Sequence, residues 1–301
     1  ADPRPRRRTT RRRPELAVTI GDRGDYGRHM TLIAPHELAE RLHDDGPVRV
    51  CDVRFYLADH AQGRREYDDG HLPDAVFVDL HTELAGGPGG GRHPLPQIDR
   101  FADLLGTLGI TPAPFVAVYD SAGGPIASRL WWMLRSIGHS QVAVLDGGLP
   151  AWVAAGYDLT TEVPDVPPTD YPAPPDWTGV ADADAVADAV EHGGSIVDSR
   201  SPERFRGDHE PLDARAGHIP GARNIFHGDN VGEDGTILPL GELAARFTDV
   251  GSSPIVYCGS GVTACHNLLA LSLVGIAEAR LYPGSWSEWS ADPARPIERG
   301  D

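Results

Sequence analysis

Val48-Arg49-Val50-Cys51-Asp52-Val53-Arg54 and Ser195-Ile196-Val197-Asp198-Ser199-Arg200 carry one pattern written twice. In each, a short apolar run ends in Asp-x-Arg, as a buried parallel strand does where it passes into its loop. Three more echoes follow in the same order. Gly70-His71-Leu72-Pro73-Asp74-Ala75 matches Gly217-His218-Ile219-Pro220-Gly221-Ala222. Phe115-Val116-Ala117-Val118-Tyr119-Asp120 matches Pro254-Ile255-Val256-Tyr257-Cys258, and Val144-Leu145-Asp146-Gly147-Gly148 matches Arg280-Leu281-Tyr282-Pro283-Gly284. Four echoes offset by 136 to 147 residues indicate a duplicated domain.

Between the echoes, residues 35–43, 125–136, 182–191 and 262–273 show apolar positions three or four apart, the period of a helix packed on one face. Strands alternating with helices predict an α/β fold of two tandem domains, each a parallel sheet flanked by helices. Pro164, Pro167, Pro168, Pro172, Pro174 and Pro175 mark an extended linker. The expected organisation is a head over residues 1–29, a first domain over 30–160, a linker over 161–177 and a second domain over 178–301.

The 301 residues carry a net charge of −17, against nucleic acid or an anionic membrane as the main partner, and no apolar run approaches a membrane span. All 27 basic residues are Arg. Seven crowd the first thirteen positions with no apolar stretch behind them, which reads as a disordered tail and not a secretion signal. Met30 precedes the first periodic segment, so a natural start there, with the head as an upstream extension, is expected. Three cysteines without a Cys-x-x-Cys pair suggest neither a disulfide framework nor a metal site, and fit a reducing cytoplasm. No organic cofactor motif is present.

Cys258 stands where a strand meets the loop Gly259-Ser260-Gly261-Val262-Thr263, with a helical segment behind it. The carboxyl end of a strand in an open α/β sheet is where ligands bind. The glycines let the backbone curl its N–H groups inward, and the helix N-terminus adds a positive field; both favour a thiolate. Ser260 and Thr263 add hydroxyl donors. The alternative is a buried, inert cysteine, the reading given to Cys51 within its strand.

Cys258-Gly259-Ser260-Gly261-Val262-Thr263-Ala264-Cys265 resembles the active-site loop of the rhodanese superfamily, the 3-mercaptopyruvate sulfurtransferases in particular. The repeated Asp-x-Arg and His-Ile-Pro-Gly-Ala segments and Gly284-Ser285-Trp286 resemble the same family, over residues 31 to 297. The resemblance implies two tandem rhodanese-like domains and a sulfurtransferase. Cys258 would take sulfur from 3-mercaptopyruvate, thiosulfate or both, hold it as a persulfide, and pass it to a thiol, cyanide or protein acceptor. A thioredoxin-like reductant is one such partner. Ser260 would orient the donor or relay a proton, with Gly259, Gly261, Val262 and Thr263 forming the cradle.

Thiosulfate-specialised members place a cation after the cysteine, where this chain has Gly259. Arg204 matches the family arginine that holds the mercaptopyruvate carboxylate. The second family arginine lies in Glu-Pro-Arg, but here Glu210-Pro211-Leu212 stands, with Arg215 a candidate substitute. Arg200 either faces the site or pairs with an acid. His71 resembles a first-domain histidine that reaches the cleft, with Glu66, Asp68 or Asp69 as its acid, or else only shapes its turn. His218 and Asp198 read as structural, and Cys265 as facing the packing side of its helix. Asp120 replaces the cysteine in the first copy, which is expected to be catalytically silent.

Two other classes compete. A cysteine phosphatase or arsenate reductase requires Cys-x5-Arg, and the position of that arginine is Ala264. A non-enzymatic sulfur-relay or binding scaffold would not need the intact cysteine and its Gly-rich loop.

Overall fold

A computed structural model describes residues 31–44 and 46–301. The Arg-rich head lies outside them.

Both copies fold as parallel sheets with helices on their faces. In the first, β1 (Leu32–Ile33), β2 (Val48–Asp52), β3 (Ala75–Phe77), β4 (Phe115–Tyr119) and β5 (Val142–Leu145) lie in the order β1-β5-β4-β2-β3. In the second, β6 (Ile196–Asp198), β7 (Arg223–Asn224), β8 (Ile255–Tyr257) and β9 (Arg280–Leu281) lie in the order β7-β6-β8-β9. Val180 bridges Leu281 in parallel, at the edge that β1 occupies in the first copy. The central strands β4 and β8 are buried throughout, which their unbroken apolar runs require.

The helices are α1 (Pro35–His43), α2 (Gln62–Asp69), α3 (Ile98–Thr107), α4 (Ala127–Ser136), α5 (Gly148–Ala154), α6 (Ala183–His192), α7 (Pro202–Arg206), α8 (Leu240–Arg246), α9 (Ala264–Leu273) and α10 (Ser285–Trp289). A 3-10 turn covers His227–Asn230. The helices expected from 125 and 262 begin two residues later, because the preceding residues belong to the strand-to-helix loops. Residues 161–177 contain no regular element. They are tied to the first domain by Thr169, whose N–H donates to Gly106 O and whose hydroxyl donates to Ile110 O.

The repeated motifs are locks inside each domain. Register sets Asp52 beside Tyr119 and Asp198 beside Tyr257. Arg54 Nη2 donates to Asp52 Oδ2 at 2.6 Å and to Gly70 O at 2.8 Å. Arg200 Nη2 repeats this with Asp198 at 2.6 Å and Gly217 O at 2.7 Å. His71 stacks on Tyr67 with ring centres 3.8 Å apart, and His218 stacks on Phe205 at the same distance. Each lock ties a strand end to the loop that begins Gly-His.

The largest apolar cluster crosses the domain boundary. It runs from Leu32, Val118 and Leu130 of the first domain to Val256, Cys258 and Leu269 of the second, with α4 against α9 at its centre. A shared hydrophobic core fixes the two domains relative to each other, as an obligate interface does. The cleft beside Cys258 is therefore built in.

Candidate active site

Cys258 is 2% exposed and sits at the carboxyl end of β8. Its N–H donates to Ser285 Oγ at 3.1 Å, its carbonyl accepts from Trp286 N at 3.0 Å, and Gly259 O accepts from Ser287 N at 2.9 Å. Gly284-Ser285-Trp286 thus pins the start of the loop. Gly261 turns the chain at φ +75°, and a Cβ there would lie 2.5 Å from Pro283 O, so only glycine fits. Gly259 serves differently. Its backbone is ordinary, but a Cβ would stand 3.1 Å from Arg92 Nη2 and 3.2 Å from Arg204 Nη1, so its lack of a side chain leaves space between two guanidinium groups.

Among the described residues, no acceptor is found for the N–H groups of Gly259, Ser260, Gly261, Val262 and Thr263. The first copy shows what such a loop holds. There Asp120 Oδ1 accepts from the N–H groups of Ala122 and Gly124, and Oδ2 from those of Ile126 and Ala127, at 2.7–2.9 Å. In the second domain the Cys258 sulfur holds the place of that carboxylate, at the head of a loop one residue shorter. Such a cradle stabilises an anion on that atom.

A cavity of about 160 Å³ opens over the cysteine, lined by Phe55, Arg92, His93, Arg204 and Leu212 with Cys258, Gly259, Ser260, Val262 and Thr263 of the loop. Both domains build it. His93 Nδ1 lies 2.9 Å from Ser260 Oγ. Burial, followed by the nearby charges of Arg129 and Arg92, pushes the His93 pKa down to about 3, so its ring is neutral at neutral pH. Its Nε2 is buried without a partner. Phe55 and His81 face its ring edge-on at 5.8 Å. Ser260 and His93 form a neutral hydroxyl–imidazole pair able to move a proton at the cavity wall.

Carboxylates hold the two arginines from behind. Arg92 Nη1 donates to Asp213 Oδ1 at 2.7 Å, and Arg204 Nη2 donates to Glu210 Oε1 at 2.8 Å and Asp213 Oδ2 at 3.2 Å. Arg92 Nη2 and Arg204 Nη1 have no acceptor among the described residues, and both point at the space over Gly259. That pair of donors suits one carboxylate.

Three of the expected positions differ. His71 does not reach the cavity: it is wholly buried in its own domain, with Nδ1 2.7 Å from Tyr67 O, and Glu66 pairs with Tyr56 and Gln62 instead. The histidine in the cleft is His93. Arg215 is also elsewhere, its guanidinium spent on the carbonyls of Trp289, Ser290, Asp292 and Arg295; the second cleft arginine is Arg92. Arg200 is buried in its ion pairs with Asp198 and Glu210, and it supports Arg204 from behind through the shared Glu210. Burial opposes its charge, but these acids hold its pKa above the ordinary value. Cys265 lies beneath the loop, its thiol 3.4 Å from Gly261 O and pushed up to about 12, chiefly by burial. Cys51 is likewise buried and raised to about 12.

Arg92 and His93 were not singled out in the sequence, although Gly89-Gly90-Gly91 before them was a signal. Gly91, at φ +96°, brings the chain so close to the second domain that a Cβ would lie 2.5 Å from Gly284 O, and Arg92 N–H donates to Ser287 Oγ at 2.9 Å. That approach required glycine. No group of His, Cys, Asp and Glu among the described residues has metal-binding geometry, and no helix among them is long and apolar enough to cross a membrane.

The rhodanese-like domain model matches residues 34–155 and again 182–292. A Pseudomonas aeruginosa protein named probable 3-mercaptopyruvate sulfurtransferase is 42% identical over 280 residues, covering 90% of this chain and 98% of its own. The thiosulfate sulfurtransferase of Cricetulus griseus is 34% identical over 287 residues, covering 90% and 96%. The crystal structure of SseA from Escherichia coli, a 3-mercaptopyruvate sulfotransferase, superposes with a TM-score of 0.75 at 33% identity, covering 85% of this chain and 99% of that one. With two matched domains, one cradle around a carboxylate and the other around a cysteine, the chain belongs to the rhodanese family, among its tandem-domain sulfurtransferases.

Proposed function

We propose that the chain moves sulfur through a persulfide on Cys258, taking it from 3-mercaptopyruvate in preference to thiosulfate and delivering it to a thiol or cyanide. The observation that carries the donor reading is the pair of free N–H groups, Arg92 Nη2 and Arg204 Nη1, converging over Gly259 beside the sulfur. They offer a seat for one carboxylate. Arg92, Arg200 and Arg204 are already balanced by Asp198, Glu210 and Asp213, so the cleft suits one negative charge better than the two of thiosulfate.

With the carboxylate so held, the thiolate of Cys258 attacks the donor's thiol sulfur. An S–S bond forms and the C–S bond breaks. The electron pair stays on carbon, and the thiol proton ends there through Ser260 and His93, leaving pyruvate and the Cys258 persulfide anion. The loop N–H groups hold that anion until cyanide or a thiol removes the outer sulfur and restores the thiolate.

Initial rates of thiocyanate formation with each donor test the reading. Cys258→Ala should abolish transfer, and the wild type should show a higher kcat/KM for 3-mercaptopyruvate. Activity surviving in Cys258→Ala would overturn the persulfide. A kcat/KM for thiosulfate equal or higher would overturn the donor preference alone.

A further inference from the structure

Arg129, on α4 of the first domain, is completely buried. Its Nη1 donates to Gly261 O of the cysteine loop at 3.0 Å, and its Nη2 donates to His93 O at 3.1 Å and Leu84 O at 3.3 Å. Its Nε is buried without a partner. No carboxylate among the described residues pairs with it, whereas Arg54 and Arg200, the other deeply buried arginines, each rest on an aspartate at 2.6 Å. Neutral carbonyls orient a guanidinium but do not balance its charge. An uncompensated buried charge is strongly unfavourable, and the common resolutions are a counter-ion or loss of the proton. Arginine does not readily lose its proton.

We infer that Arg129 is a positioning residue of the sulfur-transfer site whose counter-ion is the Cys258 sulfur itself, first as thiolate and then as persulfide. The inference rests on the persulfide reading of Cys258. The groups whose charge bears on Arg129 are Cys265 and Cys258, both on the loop-and-helix unit behind which it lies. Burial holds Cys265 protonated, with a pKa of about 12, so the anion that answers Arg129 is the one at Cys258. The first domain, whose own loop holds Asp120 where a cysteine would stand, thereby supplies the buried positive charge for its neighbour's chemistry. It also fixes the loop from beneath through Gly261 O and the segment that carries Arg92 and His93 through His93 O.

The charges facing the sulfur from other elements are those of Arg92 and Arg204 at the cleft mouth, each held by Glu210 or Asp213, with His93 neutral. Removing Arg129's charge should therefore shift thiolate formation, while Arg204, held by Glu210 and Asp213, keeps its place. The test is the pH profile of Cys258 alkylation by iodoacetamide, with the modified residue located by mass spectrometry. In Arg129→Gln the midpoint should rise by about one pH unit, an alkylation rate roughly tenfold lower at a pH beneath both midpoints. Arg129→Lys should return most of it. Arg129→Met, which removes the charge and keeps an apolar chain of similar length, should raise the midpoint as well, and it decides the question if Arg129→Gln does not fold. An unchanged midpoint in a folded Arg129→Gln or Arg129→Met would overturn the inference. If Cys258→Ala is at the same time inactive, the persulfide reading survives that failure.

Discussion

Asp120 and Cys258 hold corresponding places at strand ends of the two copies, and the first fills its loop with a carboxylate where the second offers a thiol. The Asp120 carboxylate satisfies four N–H groups permanently. In the proposed reaction the corresponding groups around Cys258 serve an anion that comes and goes. Gly259 is the other position where one atom decides. A methyl group there would occupy the space between Arg92 Nη2 and Arg204 Nη1 that we propose as the seat of the donor's carboxylate. Gly259→Ala should raise the KM for 3-mercaptopyruvate by about tenfold or more, the cost of losing one charge-assisted hydrogen bond of about 1.5–3 kcal/mol. Alkylation of Cys258 should stay near the wild-type rate, and steady-state kinetics beside iodoacetamide trapping check both halves.

At the scale of elements, the cleft is made by a strap that carries no regular structure. Residues 86–97 cross from the first domain to α10 of the second and deliver Arg92 and His93 to the cysteine loop. The strap depends on Gly91, whose φ of +96° and tight approach to Gly284 O exclude a side chain. Gly91→Ala should lift the strap, break the His93–Ser260 and Arg92–Asp213 contacts, and lower kcat/KM for 3-mercaptopyruvate at least about tenfold. The melting temperature should move little, because few core residues lie in the strap. Thermal melts run beside the kinetics would show a fold defect instead if the two fell together. The Asp-x-Arg and Gly-His-x-Pro motifs act at the same scale in the opposite sense. They brace each domain internally, which is why His71 and Arg200 sit away from the cavity.

Across the whole molecule, histidines shielded from water are held neutral, His93, His227 and His266 where the domains meet and His139 within the first domain. Burial is the leading cause in each case: His93 and His227 are pushed down to about 3, and His139 and His266 are lowered as well. The unfolded chain takes up protons near 6.5 that the folded chain refuses, so their contribution to stability is full above that pH and is lost as pH falls toward 3. Each such group gives a slope of up to about 1.4 kcal/mol per pH unit below its ordinary value. Urea unfolding at about pH 7 and about pH 5 should show stability lower by about 2–4 kcal/mol at the acid end. His227→Gln should flatten that slope, and a stability independent of pH across this range would contradict the burial of these rings in neutral form. The continuous apolar core between α4 and α9 carries the further expectation that the two domains unfold together.

The sequence by itself determined the duplication and the parallel α/β sheets, and it marked Cys258 at its glycine loop, Asp120 in the matching place of the first copy, and Arg204, which the fold brings to the cavity. Each of these is written locally, in apolar periodicity, in strand-end motifs and in a contiguous glycine loop, and local pattern is what chain stereochemistry dictates. Only the tertiary structure decided which residues of the first domain reach the cysteine. His93, Arg92 and Arg129 lie 132 to 167 residues from the loop positions they adjoin, at Ser260, Gly259 and Gly261. Their roles arise from the docking of two domains across a shared core, and no local pattern encodes that docking. His71 and Arg215 show the converse. Both have the right chemistry for the cleft, but each is held elsewhere by backbone carbonyls that only the folded chain brings near.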